Sequence, residues 1–256
     1  MISRLVSFIT RFIPRHYLQH VASFFMKILG LFYRGKKFQD PIDGVKYRKL
    51  LPYGRLTVRK NALAPNSMSL ERHRLIWLYL KRKTDFFTSQ KKVLHIAPEY
   101  CFLKPFRRLR NIEYVTADLI SPWADVKLDV QSMPFAENSF DLVLCNHVLE
   151  HVDDDKKAMA EILRVLRPGG FAILQVPMDL SMEQTLENPE YNTPELREKY
   201  YQQRDHLRLY GRDYAQRLAS VGFDVLEDDF VLQLPSHEVE YYALPKEEIL
   251  YIARKK

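Results

Sequence analysis

Cysteine is nearly absent from this sequence: among its 256 residues only Cys101 and Cys145 occur. Both fall inside predicted apolar elements, which argues against a disulfide framework and fits buried thiols in a reducing, cytoplasmic compartment. Glycine is scarce as well, at eight, and with 46% hydrophobic residues the composition is that of a globular chain rather than a low-complexity one. No uncharged apolar run approaches the roughly 20 residues that span a bilayer. No small-residue cleavage site follows an apolar core near the N-terminus, so no secretory signal is expected. Acidic residues are missing altogether from residues 1–39.

That last absence explains the net charge of +7. Residues 1–39 hold Arg4, Arg11, Arg15, Lys27, Arg34, Lys36 and Lys37 unopposed, and the remainder of the chain is balanced. A nucleic-acid footprint would instead be a basic face on the folded domain, so no nucleic-acid partner is expected. The same arm is apolar. Leu5, Phe8, Ile9, Phe12 and Ile13 precede Pro14, and Leu18, Val21, Phe24, Phe25, Ile28, Leu31 and Phe32 recur at helical spacing. Two readings stand: a basic amphipathic arm lying on an anionic membrane surface, or a lid or dimer contact.

The stretch from Asp125 to Pro177 is the most ordered in pattern. Phe140 to Cys145 has the length and apolarity of a buried parallel strand. Asp153 or Asp154 suits a helix cap, and Ala158, Met159, Ile162, Leu163 and Leu166 share one helical face. Pro168, Gly169 and Gly170 then predict a tight turn into a strand from Phe171 to Val176. The whole reads as a right-handed βαβ unit. Further strands are expected at Lys92–Ile96, Ile112–Ala117, 126–130, Phe223–Phe230 and Glu247–Ala253, the last two antiparallel.

The run LDVQSMPFAENSFDLVLCNHVLEHV followed by RVLRPGG resembles the class I S-adenosylmethionine-dependent methyltransferases, in their small-molecule, type 11-like group. The resemblance implies a doubly wound, Rossmann-like α/β domain over residues 69–256, with a seven-stranded sheet and an antiparallel final strand. Its cofactor would be S-adenosyl-L-methionine and its activity methyl transfer to a small-molecule acceptor. An oxygen nucleophile on a sugar, a lipid-linked group or a small acid is preferred. A catalytically inactive cofactor-binding or scaffolding protein of this fold is the alternative, ahead of an RNA methyltransferase.

The family's loop after the first strand carries an acid and glycines. Here His95 stands for the acid, Ala97 and Glu99 for glycines, and Cys101 for a third. Glu99 suits the cofactor ammonium. Asp118, with Leu119 beside it, ends the second strand where a carboxylate takes ribose hydroxyls. By resemblance Asp129 accepts from the adenine amine and Val130 reads the ring, although an Asp at a strand end is also a common turn former. Asn146 and His147 would floor the crevice. Glu150 and His151 read as shaping the turn that follows.

Residues 178–210 form a polar insertion over the acceptor side, ending in DHLRLYG. Asp205, His206, Arg208 and Tyr210 resemble a signature of a subset of the family. They suit either the acceptor, with His206 as a base oriented by Asp205 and with Arg208 and Tyr210 binding substrate, or a clasp pinning the insertion to the sheet. Residues 40–68 repeat an x-Pro-x-x pattern, Asp40 to Asp43 and Ala64 to Ser67. The repeat resembles a paired-knuckle zinc ribbon stripped of its cysteines around a hairpin of Tyr47 to Leu51 and Arg55 to Val58. Ala64 cannot ligate, so no metal is expected there. Ser69 is the expected cap of a helix over residues 69–87. Its Arg72, His73 and Arg74 read as structural or, less readily, as facing the active-site mouth.

Overall fold

The structure, a computed structural model, describes residues 15–54 and 57–256, with side chains from residue 24 onward. The apolar stretch from Leu5 to Ile13 and the hairpin positions Arg55 and Leu56 lie outside the described residues, as do the side chains of Leu18 and Val21.

Helix α1 (Arg15–Phe32) leads directly into strand β1 (Arg34–Gln39), which pairs antiparallel with β2 (Lys46–Tyr47). The basic arm is thus not helical to residue 39: its last six residues join the segment beyond it. A second small ladder joins β3 (Leu51–Tyr53) to β4 (Arg59–Leu63), a few residues later than the expected hairpin.

The two proline knuckles flank these ladders and face each other. Asp40 is buried and accepts from the Ile42 amide at 2.9 Å, from the Ser69 hydroxyl at 2.9 Å, and from the Ser67 hydroxyl. Asp43 accepts from the Val45 amide and, at 2.7 Å, from Asn66 Nδ2. Hydroxyl and amide donors therefore hold the two knuckles together. Ser69, occupied by Asp40, does not cap the next helix. That helix is α2 (Glu71–Lys83), where His73 Nδ1 accepts the Leu70 amide at 3.0 Å.

The main sheet contains β5 (Lys91–Ile96), β6 (Ile112–Asp118), β7 (Val126–Lys127), β8 (Phe140–Cys145), β9 (Leu166–Ile173), β10 (Asp224–Asp228) and β11 (Leu250–Arg254). Their order is β7-β6-β5-β8-β9-β11-β10. The first five are parallel, and β11 runs antiparallel to both β9 and β10. Seven strands of this kind are what the family resemblance implied. The expected turn at Pro168 to Gly170 is instead absorbed into β9, because the Gly169 amide and Gly170 carbonyl both pair with Lys255 beyond β11.

Successive side chains of a strand point to opposite faces, and the core is divided accordingly. Leu94, Ile96, Val143 and Cys145 pack under α4 (Asp155–Val165), with Ala158, Met159 and Ile162. Val93, Leu142 and Leu144 pack on the other face against Leu75, Ile76 and Tyr79 of α2 and Phe102 and Phe106 of α3 (Tyr100–Arg107). Asp154 caps α4, accepting from the Lys157 amide at 2.9 Å. Both cysteines are buried and unpaired. The insertion carries α5 (Pro194–Tyr201); α6 (Tyr214–Ala219), a 3-10 turn (Phe230–Gln233) and α7 (Ser236–Tyr241) complete the chain.

Candidate active site at the carboxyl ends of the strands

In an open parallel sheet the crevice lies where neighbouring strands leave in opposite directions. Here that point is between β5 and β8. The loop after β5 makes its turn at Ala97, whose φ of +48° is left-handed. A residue with a Cβ holds this conformation at a cost of about 1–2 kcal/mol. The turn that the family builds with glycine is retained without one, anchored by the Ala97 amide on the Ala117 carbonyl at 2.8 Å.

Beneath this turn lies a buried polar chain. His95 is fully buried; its Nδ1 meets the Tyr114 hydroxyl at 2.7 Å and its Nε2 meets the Glu99 carboxylate. The other Glu99 oxygen accepts from Asn146 Nδ2 at 3.0 Å. Burial alone would raise the Glu99 pKa, but the charge and hydrogen bond of His95 bring it down to about 2. Glu99 is therefore engaged with the protein, and the ammonium contact expected of it would have to share these bonds.

Asn146 is buried, and its Oδ1 has no hydrogen-bond partner. A buried amide oxygen left open at the strand end is a feature a bound ligand would satisfy. Asp118 ends β6, and its Oδ1 accepts from the Ile120 and Ser121 amides at 2.8 and 2.7 Å, with Leu119 exposed beside it. Asp129 accepts from the Gln131 amide and side chain, and Val130 is buried. Both aspartates thus form turns. The left-handed Ala97, the open Asn146 oxygen and the carboxylates at successive strand ends together fit an adenosyl amino acid such as S-adenosylmethionine.

His147, also left-handed at φ +55°, stands between two clefts. One, of about 490 Å³, is lined by Arg72, Gln175, Met178 and Tyr251. The other, of about 760 Å³, is lined by Tyr53, Arg59, Arg72, Glu150, His151 and His206. Arg72 thus reaches the mouth. Arg74, by contrast, is wholly buried and donates to the carbonyls of Ala62, Ser69, Tyr242 and Ala243.

The acceptor-side signature divides. His206 reaches the cleft wall, buried, with Nδ1 on the Tyr201 carbonyl at 3.0 Å. Burial lowers its pKa, which favours the neutral imidazole. Asp205 does not orient it: its carbonyl and carboxylate lie 3.1 and 3.6 Å from His151 Nδ1 instead. Arg208 and Tyr210 are not substrate contacts. Arg208 is buried on the carbonyls of Leu149, Val152 and Asp153 and on Glu187, and the Tyr210 hydroxyl donates to buried Asp155 at 2.9 Å. These two are the clasp. Glu150 and His151, which the sequence suggests only shape the turn after β8, line the same cleft as His147 and His206.

Residues 87–174 match the family described as methyltransferase domain. The chain thus carries a methyltransferase domain. Short stretches of it resemble curated proteins. One is 52% identical over 42 residues to demethylmenaquinone methyltransferase of Renibacterium salmoninarum, covering 16% of this chain and 18% of that protein. Another is 45% identical over 42 residues to the ubiquinone/menaquinone biosynthesis C-methyltransferase UbiE of Desulfotalea psychrophila, covering 16% and 17%. The matching stretch thus spans less than a fifth of these relatives. The crystal structure of the [4+2]-cyclase SpnF superposes with a TM-score of 0.51 at 17% identity, over 93% of this chain and 96% of that one. The likeness to SpnF is one of fold, and the methyltransferase-domain fold does not by itself select a reaction.

Proposed function

We propose that the protein transfers the methyl group of S-adenosylmethionine to an oxygen atom of a small molecule, a sugar, a lipid-linked group or a small acid, held in the cleft of His147 and His206. The observation that carries this reading is that His147, which lines that cleft, directly follows Asn146, whose buried Oδ1 at the end of β8 has no hydrogen-bond partner. In this reading Asp118 holds the ribose hydroxyls, Asp129 the adenine amine, and Asn146 the methionine end. The cofactor supplies a methyl carbon already activated by its sulfonium. What remains for the protein is alignment and exclusion of water. His206, neutral and at the cleft wall, is the group placed to take a hydroxyl proton.

Calorimetry with S-adenosylhomocysteine tests the first half. Binding that Asp118→Ala abolishes is expected; no heat at millimolar ligand would sink it. His206→Ala should then lower turnover by about 10²- to 10⁴-fold while sparing cofactor affinity.

A peripheral membrane role for α1 belongs to the same proposal. Phe24, Phe25, Leu31 and Phe32 are 61–68% exposed, with Lys27 among them, while buried Gly30 sits against Pro65 of the second knuckle. This exposure favours an anionic surface over an internal lid. Among the described residues no helix is long and apolar enough to cross a membrane. Salt-sensitive co-sedimentation with anionic vesicles is expected, and a chain lacking residues 1–32 that sediments equally well would refute it.

A further inference from the structure

We propose that Glu150, His151 and His206 form a binding site for one divalent transition-metal ion in the cleft, with His147 at its rim. The three residues each bring a ligand atom within 4.8 Å of the other two. Proximity alone would carry little. The second observation is Glu150: its side chain is buried, and neither carboxylate oxygen has a hydrogen-bond partner. Two imidazole nitrogens, His147 Nδ1 and His151 Nε2, stand 3.4 and 3.9 Å from Oε1 without forming a hydrogen bond. Burying a carboxylate in this condition is costly unless a cation accompanies it.

The imidazoles are prepared for the same ion. His206 Nδ1 lies 3.0 Å from the Tyr201 carbonyl and His151 Nδ1 lies 3.1 Å from the Asp205 carbonyl. A carbonyl only accepts, so each Nδ1 carries a hydrogen, which leaves Nε2 as the nitrogen able to offer a lone pair. Nδ1 held by a carbonyl with Nε2 free is the arrangement in which histidine ligates metals. The two rings stand edge to face at 4.8 Å. The segment carrying His206 is fastened to the one carrying Glu150 by the Leu207 amide on the Glu150 carbonyl at 2.7 Å.

Two imidazoles and one carboxylate suit zinc or ferrous ion rather than magnesium or calcium, which prefer all-oxygen shells. Three protein ligands also leave positions open toward the cleft. On the methyl-transfer reading, an acceptor hydroxyl bound there would be acidified by the ion, which takes over the role otherwise given to His206 as a base.

The test uses the full chain stripped of metal, titrated with Zn²⁺ by calorimetry and with Co²⁺ by visible absorption. One equivalent of each should bind, with Co²⁺ giving ligand-field bands. Glu150→Gln and His151→Ala should each weaken Zn²⁺ by about 10- to 100-fold or more, while Asp43→Asn in the knuckle should leave it unchanged. If Glu150→Gln fails to fold, His151→Ala decides, since that ring is at the surface. The site is refuted if Zn²⁺ does not bind, if His151→Ala binds it as well as the parent, or if Asp43→Asn removes it. A parallel titration of the metal-free protein with S-adenosylhomocysteine keeps the two readings apart: cofactor binding without zinc binding sinks only the metal site, and zinc without cofactor sinks only the transferase reading.

Discussion

Arg208 donates from Nη1 to the Leu149 carbonyl at 2.7 Å, joining the end of the insertion to the turn that follows β8. The same guanidinium reaches Val152 and Asp153, so one side chain closes three carbonyls of a loop that has no ladder of its own. It holds the walls of the cleft together without entering it.

Arg208→Met should therefore lower unfolding stability by about 3 kcal/mol, since it leaves the carbonyls of Leu149, Val152 and Asp153 without their donor, while Glu187 keeps Arg217. Arg208→Lys should restore little, because an ammonium cannot span the same fork of carbonyls. Urea unfolding measures this. A variant of parental stability whose defect is confined to the acceptor KM would return Arg208 to the substrate.

Ala97 holds a left-handed turn that glycine adopts freely. Ala97→Gly should be neutral to stabilising by up to about 1 kcal/mol, and Ala97→Val should be destabilising by more than that, as branching at Cβ crowds this region further. Equal and opposite shifts in melting temperature, with glycine the worse, would contradict the assigned backbone.

The Glu99 carboxylate has a folded pKa of about 2 against an ordinary 4.5. A group depressed on folding stabilises above its unfolded pKa, and that contribution, about 3 kcal/mol, is lost as pH falls from 4.5 toward 2. His73, held by burial near 3 against an ordinary 6.5, acts in the same direction between pH 6.5 and 3, where only the unfolded chain takes up the proton. Glu99→Gln should lose stability at neutral pH and show a flatter decline below pH 4.5. An unchanged acid limb would mean that the His95 pairing does not govern Glu99.

Asp40→Ala should cost about 3 kcal/mol, because the Ser67 and Ser69 hydroxyls and the Ile42 amide lose their buried acceptor together. The loss should be the same with and without a chelator. A chelator-dependent difference would place an ion between the knuckles.

How far the chain could be read without coordinates depended on the range of the interactions involved. From β8 through α4 to β9 the reading was local: an apolar run gives a strand, Asp154 takes a free amide one turn on, and 3.6-residue spacing puts Ala158, Met159 and Ile162 on one face. The family motifs then implied the seven-stranded order. The strand and helix boundaries that shifted, at residues 34–39, at Ser69 and at Gly169, did so because distant partners, Tyr47, Asp40 and Lys255, competed for the same backbone or side chain. No spacing rule reveals that competition.

The candidate site shows the same division more sharply. That Asp118 and Asn146 stand at strand ends follows from where apolar runs stop, so the sequence alone determined them. Whether Glu99 points outward or back onto His95 could not be read in this way. Nor could the choice of Asp205 for His151 over His206, or the burial of Arg208. Each depends on side chains and backbone groups from different elements meeting, and a hydrogen bond's geometry is set only when the packed core has fixed both ends. Sequence determined which chemistry was available; tertiary structure decided which of those groups face the cleft and which hold it together.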